Sequence, residues 1–297
     1  MNVRTGGLRQ RPLHFLVWPG VVIAALVLIG QGASWADATP HVRAALAAGG
    51  VAALATALGA VPIVVVKRLG ERVNDGLLGF SAGVMLAATC FSLIVPALDE
   101  AAGGGSGGWG PSLTVGGGLL LGVIFLLVAE RLTPHAHFIG PDGDDRAARR
   151  ARRLWLFVFA ILLHNVPEGL ALGVAAAGED ADRAAALTTG ISIQNVPEGL
   201  VVALALVSAG LRASRAFLIS AGSGLVEPAA ALLGGATVAV SAPLLPWGLA
   251  FAGGAMLFVV SHEIIPESHR QGHELYATVG LVLGFVLMMV LDTAMTA

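Results

Sequence analysis

The chain has 297 residues, of which 56% are hydrophobic and only 12% charged, and its mean hydropathy is +0.82, far from the composition of a water-soluble domain. A formal net charge of −2 says little alone, because in a membrane protein the placement of Lys and Arg carries the message and not their total, and no nucleic-acid partner is expected. The single cysteine, Cys90, excludes a disulfide framework and a thiolate metal cluster, leaving an all-α protein embedded in a lipid bilayer.

Apolar runs of about 18 residues or more cross roughly 30 Å of hydrocarbon. They fall at 13–30, 41–66, 76–98, 112–130, 154–177, 184–209, 214–239, 246–265 and 273–294. The first is a leading span, and the rest are core spans one to eight. Threaded alternately from a cytoplasmic N-terminus, they leave only Arg43 and Arg183, of 17 Lys and Arg residues, on the outer side. Charge placement therefore supports this topology in a cell inner membrane, with a periplasmic C-terminus.

Residues 1–40 form an N-terminal arm and the leading span. Their basic start, apolar run and "ASWADA" also describe a signal peptide, although the run is long for one, so a retained ninth helix is expected. Residues 41–297 read as one eight-span domain. Span two carries Met85, most simply a packing residue, and ends at Asp99 before a flexible outward loop, "AAGGGSGGWGPS", at 101–112. A longer cytoplasmic loop at 131–153 holds His135, His137 and "RAARRARR". Its arginines read as a solvated run that sets orientation, and its two histidines as a place to receive a metal on the inner side.

Span four contains "HNVPEGL", from His164 to Leu170, and span five nearly repeats it as "QNVPEGL", from Gln194 to Leu200. These spans run antiparallel through a short loop, so the copies reach similar depth. Positions four apart share a helix face, which stacks His164 over Glu168 and Gln194 over Glu198, with Asn165 and Asn195 beside the same carboxylates. Pro167 and Pro197 free the carbonyls of Leu163 and Ile193 and are expected to kink each helix around a cavity. Span six adds Glu227 in "GSGLVEPAA". Span seven carries His262 and Glu263 in "SHEIIPES" near its cytoplasmic end, and span eight ends at Asp292. Asp99 and Asp292 are expected at the outer mouth, drawing in cations that leave past His262 and Glu263.

Polar residues in membrane helices often serve only as interhelical hydrogen-bond partners. That explanation fails for this set, because three carboxylates cannot all be ionised in one dry pocket without a cation. Imidazole, carboxylate and amide oxygen without thiolate suit Zn²⁺ or a similar transition ion, whereas an all-oxygen set would suit Mg²⁺ or Ca²⁺. Three glutamates and two divalent ions nearly balance in charge, so a site for two metals is chemically reasonable.

The repeated HNxPEG motif with the glutamate of span six resembles the ZIP (Zrt-, Irt-like) metal-ion transporters, in particular their bacterial branch. The likeness runs over core spans one to eight. It implies an eight-helix transporter bundle with inverted repeats of spans one to three and six to eight around spans four and five. It also implies a homodimer, and an elevator-like displacement of the metal-bearing helices that carries divalent metal into the cytoplasm. Zn²⁺ is the expected cargo, with Cd²⁺, Fe²⁺ and Mn²⁺ as further candidates. Residue by residue, the family's metal site maps onto His164, Asn165, Glu168, Gln194, Asn195, Glu198 and Glu227, with Met85 as a further contributor. Many members have His where this chain has Gln194, and some have Asp where it has Asn195. The extra leading span departs from the eight-helix pattern. The alternative is an intramembrane metal-dependent hydrolase, but "HEIIP" at 262–266 lacks the second histidine of HExxH.

Overall fold

The structure is a computed structural model that describes residues 40–66, 68–103, 108–132, 146–178 and 180–296. The leading span and the inner-loop residues His135 and His137 lie outside the described residues. Hydrocarbon cannot hydrogen-bond a bare backbone, so a spanning segment must satisfy its own N–H and C=O groups. Accordingly, every regular element among the described residues is helical: α1 Pro40–Ala60, α2 Glu71–Ala87, α3 Val95–Gly103, α4 Gly110–Leu132, α5 Arg146–Ala177, α6 Ala181–Ser208, α7 Ala213–Ser223, α8 Val226–Val240, α9 Leu245–Val259, α10 Ile265–Ser268 and α11 Glu274–Met295. Among the described residues, seven helical stretches are long and apolar enough to cross a membrane, and Ile161–Ala177 is a shorter apolar stretch within α5.

Most rods overrun the apolar segments read from sequence. The second begins at Glu71 rather than 76, and α5 begins at Arg146, inside the expected loop 131–153. Hydropathy measures the width of the hydrocarbon, whereas the hydrogen-bond ladder continues into the polar region for as long as nothing interrupts it. Local chemistry sets the stops. Asp180 caps α6 by accepting from the Arg183 N–H at 2.9 Å. At the other end, Gly210 takes φ 96°, while Leu211 N–H donates to Leu206 C=O and Gly210 N–H to Val207 C=O, closing the last turn.

The helix interruptions lie in other spans than the two heptads. Helices α5 and α6 run unbroken through Pro167 and Pro197. A single proline removes only one donor, and the ladder on both sides carries the helix past it. Spans two and seven are altered instead. Each contains a π-helical segment, Ala88–Ile94 and Val260–Ile264, immediately before a proline-containing turn. In both, the residue preceding the proline donates to the carbonyl five back, Val95 to Cys90 and Ile265 to Val260. The wider turn makes room for the rings of Pro96 and Pro266. Span six is broken at Gly224 and Leu225, which separate α7 from α8.

Helix association in lipid depends on close backbone approach, since the lipid tails are as apolar as the side chains. Glycines supply it. A Cβ on Gly169 or Gly173 would strike the backbone of Glu227 or Ala231, seating α5 on α8. Gly59 and Gly199 do the same between α1 and α6. Gly79 and Gly83 seat α2 on α11, and Gly122 and Gly254 seat α4 on α9. The outward faces of α4 and α11 expose Leu120, Leu121, Ile124, Val282, Leu283 and Val286, as contact with acyl chains requires. Where α2 and α11 begin, buried Asp75 lies 3.2 Å from His273 Nδ1, a contact absent from the sequence reading. The Arg72 guanidinium lies beside it over Tyr276.

Gly173→Val is expected to force α5 and α8 apart and to destabilise the protein by about 1–3 kcal/mol, the usual cost of overpacking. Gly116→Val, where an added Cβ meets nothing within 4 Å, serves as the control and should leave the melting temperature of the purified protein unchanged.

Candidate metal centre

The two copies of the heptad meet inside the bundle. His164, Asn165 and Glu168 come from α5, Gln194, Asn195 and Glu198 from α6, and Glu227 from the first turn of α8. All except Glu198 are buried, and Glu198 is nearly so, with 16% of its side chain accessible. The glycine in each copy explains the assembly. Gly169 lets the backbone of Glu227 approach α5, and Gly199 lets the backbone of Thr56 approach α6. The motif thus supplies polar side chains and, one residue later, the contact that draws a further helix to them.

Two distinct regions result. In the first, His164 Nε2 lies 3.9 Å from Glu168 Oε1 and 3.8 Å from Glu198 Oε1. Ligand atoms of these three residues all fall within 4.8 Å of one another. Ligands bonded to one Zn²⁺ at about 2.0–2.2 Å stand roughly 3.3–3.6 Å apart, so a slight inward closure would accommodate the ion. Gln194 Nε2 donates to Glu168 Oε1 at 2.6 Å and faces Asn195 Oδ1 at 3.0 Å. The remaining oxygens, Glu168 Oε2, Glu198 Oε2 and Gln194 Oε1, are buried and have no hydrogen-bond partner. All three are acceptors, and three unpartnered acceptors at one depth suit a cation.

In the second region, donors surround Glu227. Thr56 Oγ1 donates to its Oε1 at 3.0 Å and Asn195 Nδ2 to its Oε2, also at 3.0 Å. The break in span six places the carboxylate at the start of α8, where the N-terminal dipole favours negative charge. That break also leaves the carbonyl of Ser223 at the end of α7, and Asn165 Nδ2 donates to it at 3.0 Å. Asn165, a candidate ligand by sequence, is thus engaged in closing the helix break.

The other candidates are dispersed. Met85 is fully buried within the apolar core. Glu263, expected nearer an exit, has its Oε2 3.8 Å from His164 Nδ1 and so adjoins the cluster. His262 is exposed, stacks on Phe258 and lies 3.6 Å from Glu130. Asp99 is exposed as expected, but Arg183 lies 3.9 Å away and partly offsets its charge. Asp292 is buried rather than open to a mouth, accepting a 2.7 Å hydrogen bond from Ser92 in the π-helical segment of span two. Sequence reading missed Thr56 and Ser223. A threonine and a serine in apolar runs look like ordinary helix residues until another helix brings them a partner.

Comparison with known proteins gives one consistent family. The profile of the ZIP zinc transporters matches residues 136–292. Zinc transporter GufA of Myxococcus xanthus is 46% identical over 253 residues, covering 85% of this chain and 99% of its own length. Zinc transporter ZIPB of Bordetella bronchiseptica is 48% identical over 256 residues, covering 86% and 82% respectively. Zinc transporter ZIP11 of Homo sapiens is 33% identical over 320 aligned positions, covering 81% and 94%.

Thr56→Val keeps the volume near Glu227 and removes one donor. It is expected to destabilise the metal-free protein by about 1–3 kcal/mol, the cost of leaving a buried acceptor short of a partner. The loss should be visible in thermal melts of the purified variant, while Thr188→Val, whose hydroxyl bonds only to the carbonyl of Ala184 in its own helix, should change little.

Proposed function

The chain belongs to the ZIP zinc transporter family, and we propose from that premise that it carries Zn²⁺ across the cell inner membrane into the cytoplasm through the cluster of His164, Glu168 and Glu198. It is a transporter of divalent metal ions and not an enzyme; the hydrolase alternative finds no support in this family. The observation that carries the site assignment is the approach of Glu168 Oε1 and Glu198 Oε1 to His164 Nε2, with ligand atoms of the three residues within 4.8 Å of one another, beside carboxylate and amide oxygens that are buried without a partner. A cation held there relieves this excess of acceptors. Two ionised glutamates and one Zn²⁺ balance in charge, and the amide oxygen of Gln194 completes the set as a weak ligand that lets the ion leave. Cd²⁺, Fe²⁺ and Mn²⁺ are chemically close enough to compete.

The packing supports the eight-span inverted-repeat architecture. Span three against span seven is the counterpart of span eight against span two, and span one against span five is the counterpart of span six against span four. Spans two and seven, which exchange under that relation, both carry a π-helical segment followed by a proline. The packing also supports a division of labour. Helices α1, α5, α6 and the α7–α8 pair hold the polar cluster together, and the remaining spans form the frame past which this group moves as an elevator. Orientation follows the distribution of Lys and Arg, with a cytoplasmic N-terminus and a periplasmic C-terminus. A homodimer, as in the family likeness, is part of the same proposal.

The decisive experiment combines Zn²⁺ uptake into proteoliposomes with thermal melting of the same variants. His164→Ala, Glu168→Ala and Glu198→Ala should abolish or severely reduce uptake and Zn²⁺-induced stabilisation, while the metal-free fold is nearly kept, in the two glutamate variants because one like charge has been removed. Gln194→His should tighten Zn²⁺ binding and slow turnover, since nitrogen is the stronger ligand. Persistence of near-normal flux and Zn²⁺ stabilisation in both His164→Ala and Glu168→Ala would remove this cluster from the transport path.

Protons compete with the metal for imidazole and carboxylate, so binding must release them. Zn²⁺ affinity should fall as pH drops from about 7 to about 5.5. Calorimetry in buffers of different ionisation enthalpy should report the release as a buffer-dependent binding enthalpy.

A further inference from the structure

We propose that Glu263 is a positioning residue for His164: it accepts the Nδ1–H of the ring and so fixes the tautomer and orientation that turn Nε2 toward the cargo ion. This rests on the metal-centre reading above and adds a residue that the cluster of acceptors does not itself contain. The ring of His164 is divided between two environments. Its Nε2 faces Glu168 and Glu198, at 3.9 and 3.8 Å, and its Nδ1 faces Glu263 Oε2 at 3.8 Å. A neutral imidazole carries one N–H, and an ionised carboxylate can only accept. With the proton on Nδ1, the N–H meets Glu263 and the Nε2 lone pair is free for the metal. The opposite tautomer donates toward Glu168 and Glu198 and presents a lone pair to Glu263, so it blocks the metal side with a proton, and Glu263 is the acceptor that pulls against it.

The spacing of 3.8 Å is longer than a direct hydrogen bond. A small rotation of either side chain, or one bridging water, closes it. Metal-binding histidines are commonly held in this way, with the second ring nitrogen donating to a carboxylate. Glu263 lies in the π-helical segment Val260–Ile264, and the two neighbours in sequence separate there: Glu263 adjoins His164, while exposed His262 stacks on Phe258 and faces Glu130. Glu263 also belongs to the frame spans, whereas His164 belongs to the helix group that carries the cluster. The orientation it imposes lasts only while the two groups keep this arrangement.

The test uses purified full-length protein with ¹⁵N-labelled histidine, and His164→Ala to assign the ring signals. In metal-free protein, where Glu263 competes with Glu168 and Glu198 for the ring proton, Glu263→Ala is expected to shift the tautomer population from Nδ1–H toward Nε2–H. Glu263→Ala should weaken Zn²⁺ binding about 10- to 100-fold, the usual effect of removing such a partner. Glu263→Gln keeps an acceptor oxygen of the same reach and should restore most of that loss. In the double variant with His164→Ala, the Glu263 substitution should add nothing, because its effect passes through the ring. An unchanged tautomer in Glu263→Ala overturns the proposal. So does a further loss of affinity in the double variant, which would make Glu263 a ligand in its own right. Full Zn²⁺ binding by His164→Ala would instead defeat the metal-centre reading, and the tautomer of metal-free protein would still decide whether Glu263 orients the ring.

Discussion

A buried acceptor in hydrocarbon must find a donor or a cation, because no water is at hand to replace one. That constraint governs the middle of this protein. The donors near the cluster are few, and the structure assigns them unevenly. Thr56 and Asn195 serve Glu227, Gln194 serves one oxygen of Glu168, and Asn165 serves the carbonyl of Ser223. What remains around His164 is rich in oxygen and poor in N–H. The imbalance is local, since the third carboxylate, in the same bundle, is matched by protein donors and a helix N-terminus.

The uneven division gives Asn195 a meaning that its chemistry as a weak ligand does not suggest. An aspartate at this position would place a second negative charge beside Glu227 and would ask for a cation there. The amide instead donates to Glu227 and to the carbonyl of Ala52, joining α6 to α8 and α1 without adding charge. Glu227 is held by neutral donors, whereas Glu168 and Glu198 each keep a buried oxygen without a partner.

Polar geometry at this depth depends in turn on how closely the helices approach. No hydrophobic force draws helices together within lipid, so shape must do it. The glycines of the two heptads let α8 and α1 reach backbone contact with α5 and α6, and that contact delivers Glu227 and Thr56. Irregular backbone sits elsewhere. The break in span six and the π-helical segments of spans two and seven are the irregular places in otherwise continuous rods. The break in span six borders the cluster through Ser223 and Glu227, and the segment of span seven borders it through Glu263.

Much was legible from the chain alone. Composition and the lengths of the apolar runs required a helical membrane protein, because hydrocarbon admits few other ways to satisfy a backbone. The repeated heptad, with Glu227, identified the polar centre, since acids at that depth are too costly to serve as mere packing. Helical periodicity also placed His164 with Glu168, a relation set by local geometry. Relations between helices were not legible. Nothing in the sequence showed that Asp292 would be buried against Ser92, that Asn165 would close a helix break, or that Pro96 and Pro266 would follow the irregular turns while α5 and α6 passed unbroken through Pro167 and Pro197. Nor did it show that Glu263 would reach His164. Side-chain type and spacing determine which faces a single helix presents, but the partner of a buried polar atom depends on the register and separation of two rods. Those are fixed by the sum of small backbone contacts along their length, a property of the packed bundle that no short stretch of sequence contains.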